Sequence, residues 1–291
     1  MSKLIFGCGY LGQRVAQLWR DAGETVHVVT RSADRAARFQ GEGYQTHLAD
    51  VTRRATLADL PPADAVLFAV GFDRSVDNTI EEVYADGVRN VLAALPSAAE
   101  RFIYISSTGV YGAAGGDWVD ESTPSNPQRD SSKASLAAEQ LLGENSVILR
   151  LAGIYGPDRI PYLAKLRAGE PIAAPSEGWL NLIHVDDGAA IVIAAETWAK
   201  SQAVGPHLFC VSDGQPIVRC QYYREVARRI GAQPPQFIAP DPASAVATRA
   251  NSDKRISTAK LKAELHYEFV YPSYREGLAA ILSKENAPRR C

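Results

Sequence analysis

Residues 3–19 read "KLIFGCGYLGQRVAQLW", and within them Gly7, Gly9 and Gly12 occupy the first, third and sixth places of a GxGxxG pattern. An apolar run precedes the glycines and a segment of helical periodicity follows them, the setting in which this pattern carries meaning. Each glycine has its own reason to be there. Gly7 permits a tight turn, Gly9 lets backbone N–H groups come close to a pyrophosphate, and Gly12 lets the helix lie close on the strand. The start of the helix adds partial positive charge for an anion. The stretch therefore reads as a dinucleotide-binding turn, with Tyr10 and Leu11 part of the same contact. The plainer alternative is a strand-to-helix turn that needs glycine only for packing.

Working outward, short apolar runs recur at "TVHVV" from Thr25, "AVLFAV" from Ala65, "RFIYIS" from Arg101 and "SVILRL" from Ser146. Helical periodicity separates them, over residues 11–22, 80–95 and 132–142. Near-continuous apolar strands alternating with helices define an α/β chain with a doubly wound parallel sheet, covered on both faces. After about Pro157 prolines interrupt shorter elements, although residues 186–199 and 219–230 still read as helices. The expected organisation is a Rossmann-type dinucleotide-binding domain over 1–160 and a smaller C-terminal substrate lobe over 161–291. Residues 180–212 are expected to return to the first domain. The stretch from Pro234 to Pro242 reads as a loop.

The end of the second strand bears on which dinucleotide is bound. An NAD site places an Asp or Glu there to accept the ribose 2′-OH, whereas this chain has Thr30, Arg31 and Ser32. An arginine suits a 2′-phosphate, so NADP is expected, with NAD as the alternative. Asp50 and Val51, where a third strand ends, fall near the adenine. Ala69, Val70 and Gly71 end the fourth strand beside the cofactor.

The formal charge of -2, with 22% charged residues, is not that of a nucleic-acid binder. No apolar run reaches the roughly 18 residues that span a bilayer, and "MSKLIFGCGY" lacks a signal-peptide core, so a cytoplasmic protein without membrane contact is expected. Cys8, Cys210, Cys220 and Cys291 are scattered, with no zinc-like spacing; they read as reduced thiols, and no metal is expected.

At "YISSTGVYG" the chain resembles the extended short-chain dehydrogenase/reductases, the NAD(P)-dependent epimerase/dehydratase superfamily. "LRLAGIYGP", "NLIHVDDGAAIV", "FCVSDGQPI" and "NSDKRISTAKLK" continue the resemblance through most of the chain. It implies redox chemistry at a secondary alcohol, a ketone or a sugar nucleotide, with a nucleotide sugar among the candidate small-molecule substrates. It also implies a homodimer paired through two long helices, here 80–95 and 132–142. In that family a Ser or Thr, a Tyr and a Lys do the chemistry. The resemblance puts the hydroxyl on Ser107, beside Thr108, and the lysine on Lys133, which also serves the cofactor ribose. The tyrosine position, four residues before Lys133, holds Arg129.

This departure has chemical weight. A phenol beside a lysine exchanges a proton with substrate, whereas a guanidinium with a pKa above about 12 stays protonated. One reading is an atypical enzyme in which another group moves the proton, with Tyr111 the chosen candidate and Tyr155 a second. The other is a non-catalytic NAD(P)-binding sensor or scaffold. His184, Asp186 and Asp187 read as a helix start capped by Asp186. Arg150 reads as either an ion-pair partner or a contact for a substrate anion. The acidic loop "GDWVDEST" near the mouth makes a strongly anionic substrate less attractive.

Overall fold

The computed structural model of the chain describes residues 1–96, 99–202, 205–241, 244, 247 and 253–285; Pro242, Asn251, Ser252, Cys291 and the rest of the C-terminal end lie outside them. The central sheet has seven strands. They are β1 (Ser2–Phe6), β2 (Thr25–Thr30), β3 (Gln45–Leu48), β4 (Ala65–Phe68), β5 (Arg101–Ser107), β6 (Ser146–Leu151) and β7 (His207–Val211). Every neighbouring pair is parallel, in the order β7-β6-β5-β4-β1-β2-β3. The chain winds one way from β1 through β2 to β3 and the other way from β4 outward. The reversal falls between β1 and β4, where the loops after the two strands part and leave a crevice.

Alternation along each strand explains the cover on both faces. Ile5, Leu67 and Ile103 enter one apolar cluster, with Val15 and Trp19 of α1 (Gly12–Asp21) and Val192 and Ala195 of α6 (Val185–Ala199). Their sequence neighbours Leu4, Phe6, Val66, Phe68, Phe102 and Tyr104 enter a second cluster on the other face. There they meet Val88 and Val91 of α3 (Gly87–Ala94) and Ala138 of α4 (Asp130–Glu139). α2 (Ala33–Gly41) follows β2, and α5 (Leu163–Ala168) follows the β6 region. A wide π-type turn over Glu82–Asp86 leads into α3, so the segment read as one helix over 80–95 changes pitch partway along.

Beyond β6 the chain builds a separate apolar cluster from Ile160, Leu166 and Ile172. It is completed by Tyr222 and Val226 of α7 (Arg219–Arg229) and by Leu278 and Ile281 of α9 (Tyr274–Glu285). α8 (Ala259–Leu265) sends Leu261 to the first sheet cluster. α6 and β7 lie within the sheet assembly, so the chain returns to it after its first excursion. Part of the proline-rich loop is extended: Phe237–Ile238 pairs with Ile172–Ala173.

Candidate active site

The turn after β1 is built as its glycines require. Gly7 has φ +86°, and a Cβ there would sit 2.4 Å from the Ala69 carbonyl carbon and oxygen. A Cβ on Gly12 would sit 2.5 Å from the Gly7 oxygen. A Cβ on Gly9 would meet only the Gly7 oxygen, at 4.0 Å, because its open side faces the crevice. Gly9 N–H donates to Gly7 O (2.7 Å) and Gln13 N–H to Gly9 O (2.9 Å), which carries the turn straight into α1. No side chain caps α1 and no acid stands in its first turn, so the partial positive charge of its start is not offset locally. The cradle fits a diphosphate.

A first cleft of about 440 Å³ runs from this turn along the ends of β2 and β3. Gly7, Gly9, Thr30, Arg31, Asp50 and Val51 line it, and Ala69, Val70 and Gly71 form its other wall. Asp50 Oδ1 is held by the Thr52 amide (2.9 Å) and hydroxyl (2.8 Å). Arg31 pairs with Asp73, whose carboxyl is kept below the usual range first by the Ser75 hydroxyl and amide and then by Arg31. Ser32 is not on the wall; it caps α2 by accepting from Arg35 N–H at 3.3 Å. Arg35 itself lines the cleft, donating to Cys8 O at 2.6 Å. The sequence reading missed it, although a second arginine four residues after Arg31 was the available signal. Burial pushes the Cys8 thiol up to about 12, which leaves it protonated at neutral pH.

A second cleft of about 860 Å³ shares Gly9, Ala69, Val70 and Gly71 with the first and opens toward the C-terminal segments. Tyr10 and Leu11 line it, Tyr10 donating to Pro157 O at 2.8 Å. Ser107, at the end of β5, faces into it, and its hydroxyl accepts from Gly109 N–H at 3.1 Å. Arg129, just before α4, lies beside it. A Cβ on Gly109 would be 2.4 Å from Arg129 Nη2 and 3.2 Å from Ser107 Oγ. The fold thus brings Ser107 together with Arg129.

Tyr111 and Lys133 are placed elsewhere. The chain reverses at Gly112 (φ +68°) and tucks Tyr111 inward, 2% exposed, with its hydroxyl 3.0 Å from Cys210 Sγ and Arg150 over its ring. Burial pushes that phenol far up, and it is not on a cleft wall. Tyr155 is fully buried, with its hydroxyl directed at Ser273 O. Lys133 projects from the outer side of α4, 60% exposed and 3.7 Å from Asp130, because Ser132, Ser135 and Ala138 take the inner side. It lines neither cleft.

The structure adds groups that the sequence did not single out. Arg159, Arg219 and Lys254 line the second cleft with Arg129, and no carboxylate appears among its described lining residues. Lys254 is 4% exposed and donates to Gly112 O at 2.7 Å. Burial draws it down to about 8; the Arg129 charge adds to the shift and Asp253 opposes it. Two acids of the "GDWVDEST" loop, Asp120 and Glu121, are engaged within the fold. Asp120 accepts from the Ser122 amide (2.9 Å) and hydroxyl (2.7 Å), and Glu121 from Cys210 N–H (2.6 Å). No acid of this loop is among the described residues that line the second cleft.

Two other readings resolve. The cap of α6 is His184, whose Nδ1 accepts from Asp186 N–H at 3.2 Å, while Asp186 turns out to Arg14 at 2.7 Å. Asp187 is fully buried and accepts from the Val270 and Tyr271 amides and the Tyr267 hydroxyl. Arg150 is an ion-pair partner, bound to Glu139 of α4. Among the described residues no three His, Cys, Asp or Glu are placed to hold a metal ion, and no helix is long and apolar enough to cross a membrane.

A parallel sheet with a glycine turn at its point of reversal, opening on two joined clefts, defines a Rossmann-type nucleotide-binding protein. The chain belongs to the NAD dependent epimerase/dehydratase family, whose sequence profile matches residues 4–208. Protein YeeZ of Escherichia coli (strain K12) is 31% identical over 281 residues, covering 92% of this chain and 95% of YeeZ. A solved structure from Methylobacillus flagellatus, provisionally described as an NAD-dependent epimerase/dehydratase, is 34% identical. It superposes with a TM-score of 0.80 over 98% of each chain. UDP-glucose 4-epimerase of Thermotoga maritima, solved with UDP-glucose, shares the fold at a TM-score of 0.79 and 17% identity, covering 97% of this chain and 98% of that one.

Proposed function

We propose that the protein binds NADP in preference to NAD across the first cleft and acts as an oxidoreductase or epimerase at a secondary alcohol or ketone carbon of an anionic small molecule. The observation that carries this reading is continuity: the cleft of Ser107 opens from the glycine cleft through Gly9, Ala69, Val70 and Gly71. A nicotinamide bound there supplies or takes up a hydride. The protein's own residues do the rest. Amides of the glycine turn hold the diphosphate, Asp50 and Val51 bound the adenine end, and Arg31 with Arg35 receives a 2′-phosphate. The Ser107 hydroxyl orients the substrate oxygen. Arg129 donates to that oxygen and stabilises negative charge on it, but keeps its own proton.

Arg129, Arg159, Arg219 and Lys254 give the second cleft the field of an anion site. A nucleotide sugar, the ligand class of the Thermotoga relative in fold, meets that requirement. The test is calorimetric titration with NADPH and NADH, followed by absorbance assays on ketones and nucleotide sugars. NADPH should bind more tightly, and Arg31→Ala combined with Arg35→Ala should weaken NADPH by about tenfold or more while sparing NADH. Turnover should fall in Ser107→Ala. Absence of binding by either nucleotide at millimolar concentration overturns the proposal. The guanidinium beside Ser107 favours one second reading, a nucleotide sensor without turnover; tight NADPH binding with no turnover on any compound would establish it.

A further inference from the structure

The reaction proposed above needs a group that gives and takes a proton, and the phenol expected from the family resemblance is absent. The remaining groups around Ser107 narrow the choice. Arg129 is a permanent cation. Tyr111 and Tyr155 are buried away from the cleft walls, and Lys133 points to solvent. Tyr222 lines the cleft, but its phenol is fully buried and pushed far up, and Tyr104 behaves alike; of the other tyrosines on its wall, Tyr10 is engaged with Pro157 O, Tyr84 accepts from Phe72 N–H at 3.3 Å, and Tyr162 packs edge-on against Tyr223.

We propose that Lys254 is the proton-transfer group of this cleft, a reading that rests on the oxidoreductase assignment above. Its position is fixed at both ends. The backbone around it is held by Asn181, whose side-chain amide donates to Lys254 O at 2.9 Å and whose Oδ1 accepts from Ile256 N–H at 2.8 Å. Its amine donates to Gly112 O, which closes the short turn that begins at Ser107. The turn that starts at Ser107 thus also anchors the Lys254 amine, and both residues line the same cleft. Among the described residues, the charges that act on the amine are Arg129, just before α4, and the neighbouring Asp253, whose Oδ1 accepts from Trp179 N–H at 2.7 Å. Arg255 turns away to Gly116 O, between Trp118 and Trp179.

The residue standing at the tyrosine position then acquires a second effect: its fixed positive charge helps burial to bring the amine into a range where it exchanges protons near neutrality. In the reducing direction a C–H bond forms at the carbonyl carbon with hydride from the reduced nicotinamide. The C=O π pair moves to oxygen, and that oxygen takes a proton from the Lys254 ammonium. The ketone is reduced and the nicotinamide oxidised. Lys254, left as the neutral amine, recovers its proton from water; in the oxidising direction it accepts the alcohol proton.

Trace acetylation with acetic anhydride across pH, read lysine by lysine by mass spectrometry, reports on Lys254 without any substrate. Half-maximal reactivity is expected near pH 8, moving up by about half a unit or more in Arg129→Gln as the cation is removed. A midpoint near the ordinary lysine value of about 10.4, or one that Arg129→Gln leaves in place, overturns the proposal. With a substrate in hand, Lys254→Met should cut kcat by about a hundredfold or more while NADPH affinity stays within about twofold. Retained turnover in Lys254→Met, or loss in Tyr162→Phe instead, also overturns it. Failure of NADPH to bind the unaltered protein sinks the oxidoreductase assignment, whereas normal binding with turnover indifferent to Lys254 sinks only this one.

Discussion

Gly7 and Gly9 are two residues apart in the same motif, yet they carry different burdens. At Gly7 the backbone has positive φ and the Ala69 carbonyl lies where a side chain would start, so any substitution is strained and also displaces the fourth-strand turn. At Gly9 there is room for a methyl group, and the space it would fill is the one a diphosphate needs. Gly7→Ala should therefore lose about 2 kcal/mol of stability or more together with cofactor binding. Gly9→Ala should unfold within about 1 kcal/mol of the parent in urea. It should nevertheless bind NADPH at least about tenfold more weakly by calorimetry, a difference of about 1.4 kcal/mol. Equal stability losses in the two variants would contradict this division of roles.

Among the elements, α4 is tied to the sheet by charge as well as by apolar contact. Arg150 of β6 meets Glu139 of α4 with Nη2–Oε2 at 2.6 Å and Nε–Oε1 at 3.0 Å, both side chains buried, and the Ser106 hydroxyl of β5 donates to the same carboxylate. Removing one partner strands the other charge away from water. Glu139→Ala should lower stability by about 3–5 kcal/mol in urea unfolding, and Arg150→Met combined with Glu139→Leu should recover most of that loss. Since Arg129 immediately precedes α4, the single variant should also loosen the cleft beside Ser107. A second buried pair, Lys3 of β1 with Glu196 of α6, adds the Trp19 indole as a donor at 2.7 Å and joins the first helix to the returning segment.

At the scale of the whole molecule, a ligand that bridges the turns after β1, β2 and β4 binds only the folded chain. At about a hundredfold excess over its Kd, NADPH should stabilise the protein by about 2.7 kcal/mol, raising Tm by several degrees in a thermal melt. Gly9→Ala at the same NADPH concentration should lose most of that rise. An unchanged Tm in the parent protein would mean that the nucleotide does not engage these turns.

The same scale separates what was legible in the chain from what was not. Strand runs such as "AVLFAV", the glycine turn, and the ends of β2 and β4 lie within single segments, where periodicity and backbone strain are local properties; these alone determined the parallel sheet and placed Thr30, Arg31 and Gly71 by the first cleft. That an arginine, Arg129, stands four residues before Lys133 was equally visible. Local pattern could not say which side of α4 carries Lys133, nor that Gly112 turns Tyr111 inward onto Cys210. Nor could it bring Lys254 from the far end of the chain to the turn that begins at Ser107. Those outcomes depend on how distant segments pack, because burial and the field of neighbouring charges exist only once the two parts of the chain have closed around a common cleft.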